Sequence, residues 1–119
     1  MPLKIDDRKV DGVTIVELSG RLVLGKESAS LRDTMKRMAS RGDKKVLVNL
    51  AGVNYIDSSG LGTLVGGYTT LVSSNGEMKL LHLTDRVHEL MHITKLLTVF
   101  DVFTDEAAAL RSFSQPGSA

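Results

Sequence analysis

Three groups of residues in this 119-residue chain have the types and spacing for chemistry. His88-Glu89-Leu90-Met91-His92 has H-E-x-x-H spacing, which on a helix sets two imidazoles one turn apart to bind zinc, with the Glu as general base. Gly20-Arg21-Leu22-Val23-Leu24-Gly25-Lys26-Glu27 approaches the G-x-x-x-x-G-K-[ST] phosphate loop. Asp57-Ser58-Ser59-Gly60 places two hydroxyls beside a carboxylate. A serine at such a turn is a helix cap, a nucleophile or a phosphorylation site.

The phosphate loop fails on its own residues. Glu27 stands where a hydroxyl should hold Mg²⁺, and Leu22, Val23 and Leu24 fill the loop where backbone should be open to phosphate. The zinc motif meets a different difficulty. A helix over these residues turns Val87, Leu90, Met91 and Thr94 inward, which leaves His88 and His92 on one flank and Glu89 opposite the core. A third ligand is available only from Asp101, Asp105 or Glu106, and Lys95 stands where a metzincin glycine would follow. His82 falls on an expected strand and reads as a core or edge histidine. The serine turn lacks the G-x-S-x-G elbow, and no His lies close in sequence to act as its base. A plain cap accounts for its Ser and Gly types. It does not account for Gly62, Gly66 and Gly67, each costing a helix about 0.5–1 kcal/mol relative to Ala. That helix needs close approach, either by a neighbouring helix or by a partner protein.

The elements that must position these groups follow from periodicity. Leu3–Val10 and Val13–Ser19 read as strands joined by Asp11-Gly12, a two-residue hairpin signal, with Gly20 ending the second. Lys26–Ala39 reads as a helix, followed by Gly42 past its C-terminus. The apolar run from residue 44 to 50 is a strand buried on both faces. After the serine turn, Leu61, Leu64, Val65, Tyr68, Leu71 and Val72 form a helical stripe that runs to about Ser74. Met78–Leu83 is the next strand, and Thr84-Asp85 caps a helix over Arg86–Lys95. Val99–Phe103 and Thr104–Phe113 close the order β-β-α-β-α-β-α-β-α, with 114–119 as a flexible tail. The fold class is α/β, a mainly parallel sheet begun by an antiparallel hairpin. Its serine turn lies at the C-terminal edge of a central strand, where open α/β sheets place their ligand sites.

Composition is that of a globular domain: 42% hydrophobic, 24% charged, net charge +1. The near-neutral balance argues against direct nucleic-acid binding. Without cysteine there is neither a disulfide framework nor thiol chemistry, and with no apolar run near 20 residues no membrane insertion is expected. A cytoplasmic protein is the expectation.

Ile56-Asp57-Ser58-Ser59-Gly60-Leu61-Gly62, after Val46-Leu47-Val48-Asn49-Leu50-Ala51-Gly52-Val53, resembles the signature of the STAS domain family. Within it the chain resembles bacterial anti-sigma factor antagonists over about Leu3 to Phe113, as one domain spanning 1–113. The resemblance implies a four- to five-stranded sheet with helices mainly on one face. It also implies a non-enzymatic regulator, without cofactor or metal, that binds an anti-sigma factor when unphosphorylated. The partner is often a serine kinase; it phosphorylates the Ser after the Asp, here Ser58, and a phosphatase reverses the change. The docking face expected from it is Asp57, Ser58, Ser59, Gly60, Leu61 and Gly62 with Gly20, Arg21 and Leu24. Val23 and Asn49 stand where family members often carry Asp, and Lys95 where Gly is common. Those departures leave room for a STAS scaffold or transporter-accessory subunit. From another class, a small zinc hydrolase using His88, Glu89 and His92 is the competing reading.

Overall fold

The computed structural model describes residues 3–113, so the expected tail at 114–119 lies outside the described residues. Within them the order is β1 (Lys4–Val10), β2 (Val13–Leu22), α1 (Lys26–Ser40), β3 (Lys45–Ile56), α2 (Ser58–Ser73) and β4 (Glu77–Leu81). Then follow α3 (Asp85–Ile93), a 3₁₀ turn (Leu96–Thr98), β5 (Val102–Phe103) and α4 (Glu106–Ser112). The five strands form one sheet in the order β1-β2-β3-β4-β5, antiparallel only between β1 and β2. Asp11 and Gly12 turn that hairpin with φ of 52° and 81°, the left-handed pair a tight turn requires.

Alternation along the strands divides the core in two. Val46, Val48 and Leu50 of β3 and Met78 and Leu80 of β4 face one side. Leu31, Met35 and Met38 of α1, Leu61, Leu64 and Leu71 of α2, and Val87 and Met91 of α3 pack there. Val13, Ile15, Leu47 and Leu81 face the other side, beneath Ala109 of α4 and Phe113. Three helices on one face and a short fourth on the other are the arrangement the fold class predicted.

Several boundaries differ from expectation. β2 does not end at Gly20 but continues to Leu22, and β3 does not end at Leu50 but reaches Ile56. Each extension supplies the other's ladder, pairing Gly20 with Val53, Arg21 with Tyr55 and Leu22 with Ile56. Two register shifts interrupt the pairing, which is why exposed Ala51 and Gly52 read locally as a strand end. Asn49 braces the first shift, donating from Nδ2 to Glu17 Oε2 at 3.2 Å and accepting the Ala51 N–H at 3.0 Å. An Asp at that position would set two carboxylates face to face, so Asn is the residue this bulge needs.

β4 stops at Leu81, because His82 adopts a φ of 56°, so His82 is not a strand residue. α3 ends at Ile93, and Thr94, expected inward, is its exposed C-cap. Lys95, with φ of 67°, turns the chain into the 3₁₀ turn, and β5 keeps only two residues.

Candidate functional site

At the C-terminal edge of the sheet, β3 gives way to α2 in a single residue, Asp57, the N-cap of the helix. Its Oδ1 accepts the Gly60 N–H at 2.8 Å, as a capping carboxylate does. Its Oδ2 accepts the Leu24 N–H at 3.0 Å from the loop joining β2 to α1. The Asp57 N–H in turn donates to the Leu22 carbonyl at 3.3 Å. The two segments expected to adjoin are thus tied together by one side chain. Partial burial pushes the Asp57 carboxyl up, but hydrogen bonds from the Gly60, Leu24 and Ser59 backbone outweigh it and hold it below the usual carboxylate range.

Ser58 is the first residue of α2 and is exposed. Ser59 is half-buried, whereas Gly60 and Leu61 are buried. The two buried residues serve the fold: a Cβ on Gly60 would collide with the Leu22 carbonyl oxygen and stand 2.8 Å from Leu22 Cγ. Gly67 likewise makes way for Met35 of α1 at 3.0 Å, the neighbouring-helix explanation of a helical glycine. Gly62 and Gly66 have no such reason, with no atom within 4 Å of an added Cβ. They line a groove of about 340 Å³ between α1 and α2, with Arg32, Lys36, Ser59 and Thr70 along it.

Of the remaining expected residues, Leu24 is 74% exposed and Arg21 is exposed at the end of β2. Gly20 is half-buried with φ of 111° at the second register shift. Because Gly20, Arg21 and Leu22 are strand residues and Leu22 is fully buried, the segment resembling a phosphate loop presents no open backbone cradle. Val23 uses its carbonyl to accept both the Ser28 hydroxyl at 2.7 Å and the Ser28 N–H at 3.2 Å. His88, Glu89 and His92 are exposed on α3, and no group of three or more His, Cys, Asp or Glu able to hold a metal ion exists among the described residues. The zinc-hydrolase reading therefore lacks its third ligand.

The sequence gives no warning of one further feature. Tyr55, half-buried near the end of β3, has two guanidiniums over its ring, with Arg21 Cζ 5.1 Å and Arg86 Cζ 4.5 Å from the ring centroid. Arg21 arrives by strand pairing and Arg86 by the docking of α3, so nothing local in sequence links the three.

A model of the STAS domain matches residues 4–109. An anti-sigma-B factor antagonist of Staphylococcus aureus is 31% identical over 102 residues, covering 86% of this chain and 94% of the relative. An anti-sigma factor antagonist from Mycobacterium paratuberculosis has the same fold with a TM-score of 0.79 at 21% identity, covering 92% of each chain. The Bacillus cell fate determinant SpoIIAA, solved in its phosphorylated form, shares the fold with a TM-score of 0.72 at 20% identity, covering 92% of this chain and all of that one. No helix among the described residues is long and apolar enough to cross a membrane.

Proposed function

This chain belongs to the STAS domain family, and on that premise we propose that it is an anti-sigma factor antagonist, controlled by phosphorylation of Ser58. Unphosphorylated, it binds an anti-sigma factor through the sheet edge where Ser58, Gly62, Arg21 and Leu24 are exposed. It acts by contact and not by catalysis, releasing a sigma factor for transcription. The anti-sigma factor is a serine kinase that modifies Ser58, and a serine phosphatase restores binding.

The exposure of Ser58 at the first position of α2, beside a carboxylate already fixed by two backbone N–H groups, carries this reading. A phosphate on Ser58 adds about −1.5 to −2 charges at that spot. Ser58 is exposed, so the new charge is added at the surface where a docked partner meets it. Like charge, bulk and desolvation then oppose the partner; a change of about 3 kcal/mol weakens affinity more than a hundredfold. The fold of SpoIIAA in its phosphorylated form supports a switch that leaves the domain intact.

The test is intact-mass analysis with site mapping on protein from its native cells, together with identification of what co-purifies. The expected result is one phosphate on Ser58 in part of the population and an anti-sigma factor bound to the remainder. In a purified pair, Ser58→Ala should bind and resist phosphorylation, while Ser58→Glu should bind weakly. Continued phosphorylation of the Ser58→Ala protein at another residue would remove the assignment.

A further inference from the structure

We propose that Arg21, Tyr55 and Arg86, with the adjoining hollow on α3, form a docking point for an acidic, apolar-tipped segment of a protein partner. This rests on the reading that an anti-sigma factor binds the Ser58 edge, and it names what that partner must offer beyond the serine itself. The two guanidiniums lie over one ring, their Cζ atoms 5.1 and 4.5 Å from its centroid, and neither makes an ion pair or side-chain hydrogen bond among the described residues. A cation–π contact restricts a guanidinium without using up its N–H donors, so less further ordering is needed to take a carboxylate with two parallel bonds. The fold has no evident use for two unpaired cations held over the same ring.

Arg86 also forms a wall of a hollow of about 170 Å³, lined by Ile56, Glu89, Leu90 and Ile93. Ile93 is 66% exposed, and after Leu24 it is the most exposed of the large apolar side chains described. Glu89, whose carboxylate pairs with neither guanidinium, lies on the hollow's rim and opposes an all-acidic ligand there. The complementary segment therefore carries its carboxylates over Arg21 and Arg86 and an apolar side chain over Leu90 and Ile93. A basic or wholly polar surface would leave these groups unmatched.

The direct test is an NMR titration of the isotope-labelled chain with a synthetic peptide in which Glu residues flank a Leu, against its Gln-flanked counterpart. Saturable shifts at Arg21, Tyr55, Arg86 and Ile93 with the acidic peptide alone are expected. In Arg21→Gln/Arg86→Gln, whose substituted residues are exposed, the peptide affinity should fall about tenfold and lose most of its salt dependence. Shifts confined to the α1–α2 groove, equal response to both peptides, or no saturation would overturn the proposal. A second measurement uses the purified anti-sigma factor: Ser58→Glu reports on the functional reading, and Arg86→Gln, an exposed position outside the face assigned to that reading, on this one. If Ser58→Glu weakens binding as expected while Arg86→Gln stays within about twofold of wild type, the docking point is wrong and the switch stands. If the acidic peptide binds as expected and the anti-sigma factor does not bind at all, the docking point stands and the functional reading fails.

Discussion

The backbone N–H of Leu24 donates a 3.0 Å hydrogen bond to Oδ2 of Asp57, across 33 positions of sequence. Through it the N-terminus of α2 and the loop after β2 act as one piece, since the other oxygen of the same carboxylate holds Gly60. Asp57→Ala should therefore do more than remove a cap. We expect a loss of about 1–2 kcal/mol in thermal unfolding, together with faster hydrogen exchange at both the Leu24 and Gly60 amides. Faster exchange at Gly60 alone would show that the loop is held by other contacts.

The glycines of α2 divide by what surrounds them. Gly60→Ala drives a methyl into the Leu22 backbone and should cost about 3 kcal/mol, lowering the melting temperature by about 10 °C or more. Gly62→Ala and Gly66→Ala meet open space and should instead stabilise the helix by about 0.5–1 kcal/mol each. Calorimetry of the three variants distinguishes the cases, and destabilisation by Gly62→Ala would contradict the geometry.

Acid sensitivity should centre on Asp43, whose side chain is 5% exposed between Lys9 at 3.1 Å and Arg41 at 2.7 Å. Burial pushes its carboxyl up, but the hydrogen bonds and charges of Arg41 and Lys9 outweigh burial and hold it below its ordinary 3.8. The unfolded chain thus keeps the proton more tightly, and the stabilisation is complete above the ordinary value and lost as pH falls through the lower, folded one. Asp57 has the same sign. Melting temperature should be steady down to about pH 5 and fall below about pH 4. Asp43→Asn should lose about 1–3 kcal/mol at neutral pH and show a shallower acid decline. An unchanged decline would assign the acid transition to other carboxylates.

Lys95 occupies the left-handed region with φ of 67°, where glycine is the residue without steric strain. Relief of the side-chain strain exceeds the entropic penalty of glycine by a small margin, so Lys95→Gly should stabilise by about 0.5 kcal/mol. Denaturant melts with an unchanged slope would register this as a shift in midpoint. A destabilised Lys95→Gly protein would show that the Lys side chain contributes contacts of its own.

Much of this architecture is legible in local residue patterns. Asp11-Gly12 specifies the hairpin, the helical stripe of Leu61, Leu64 and Leu71 specifies α2, and Asp57 before Ser58 specifies its start, because each rests on interactions within a few residues. The bulged ends of β2 and β3 were not legible. Ala51 and Gly52 look like a strand stop, and only pairing with Ser19 to Leu22 carries the strand to Ile56. The H-E-x-x-H spacing was legible and misleading, since a metal site needs a third ligand that no local pattern can supply.

By itself, the sequence determined the alternation of strands and helices and the serine at the start of α2, which are properties of short-range periodicity and capping, and its Asp57-Ser58-Ser59-Gly60-Leu61-Gly62 motif carried the resemblance to the family. Tertiary structure alone decided which glycine is obligatory, how Asp57 locks a distant loop, and that Arg21 and Arg86 both come within cation–π distance of Tyr55. Those are contacts between segments brought together by the sheet and its crossovers, and a contact across 33 positions leaves no periodic trace in the chain that makes it.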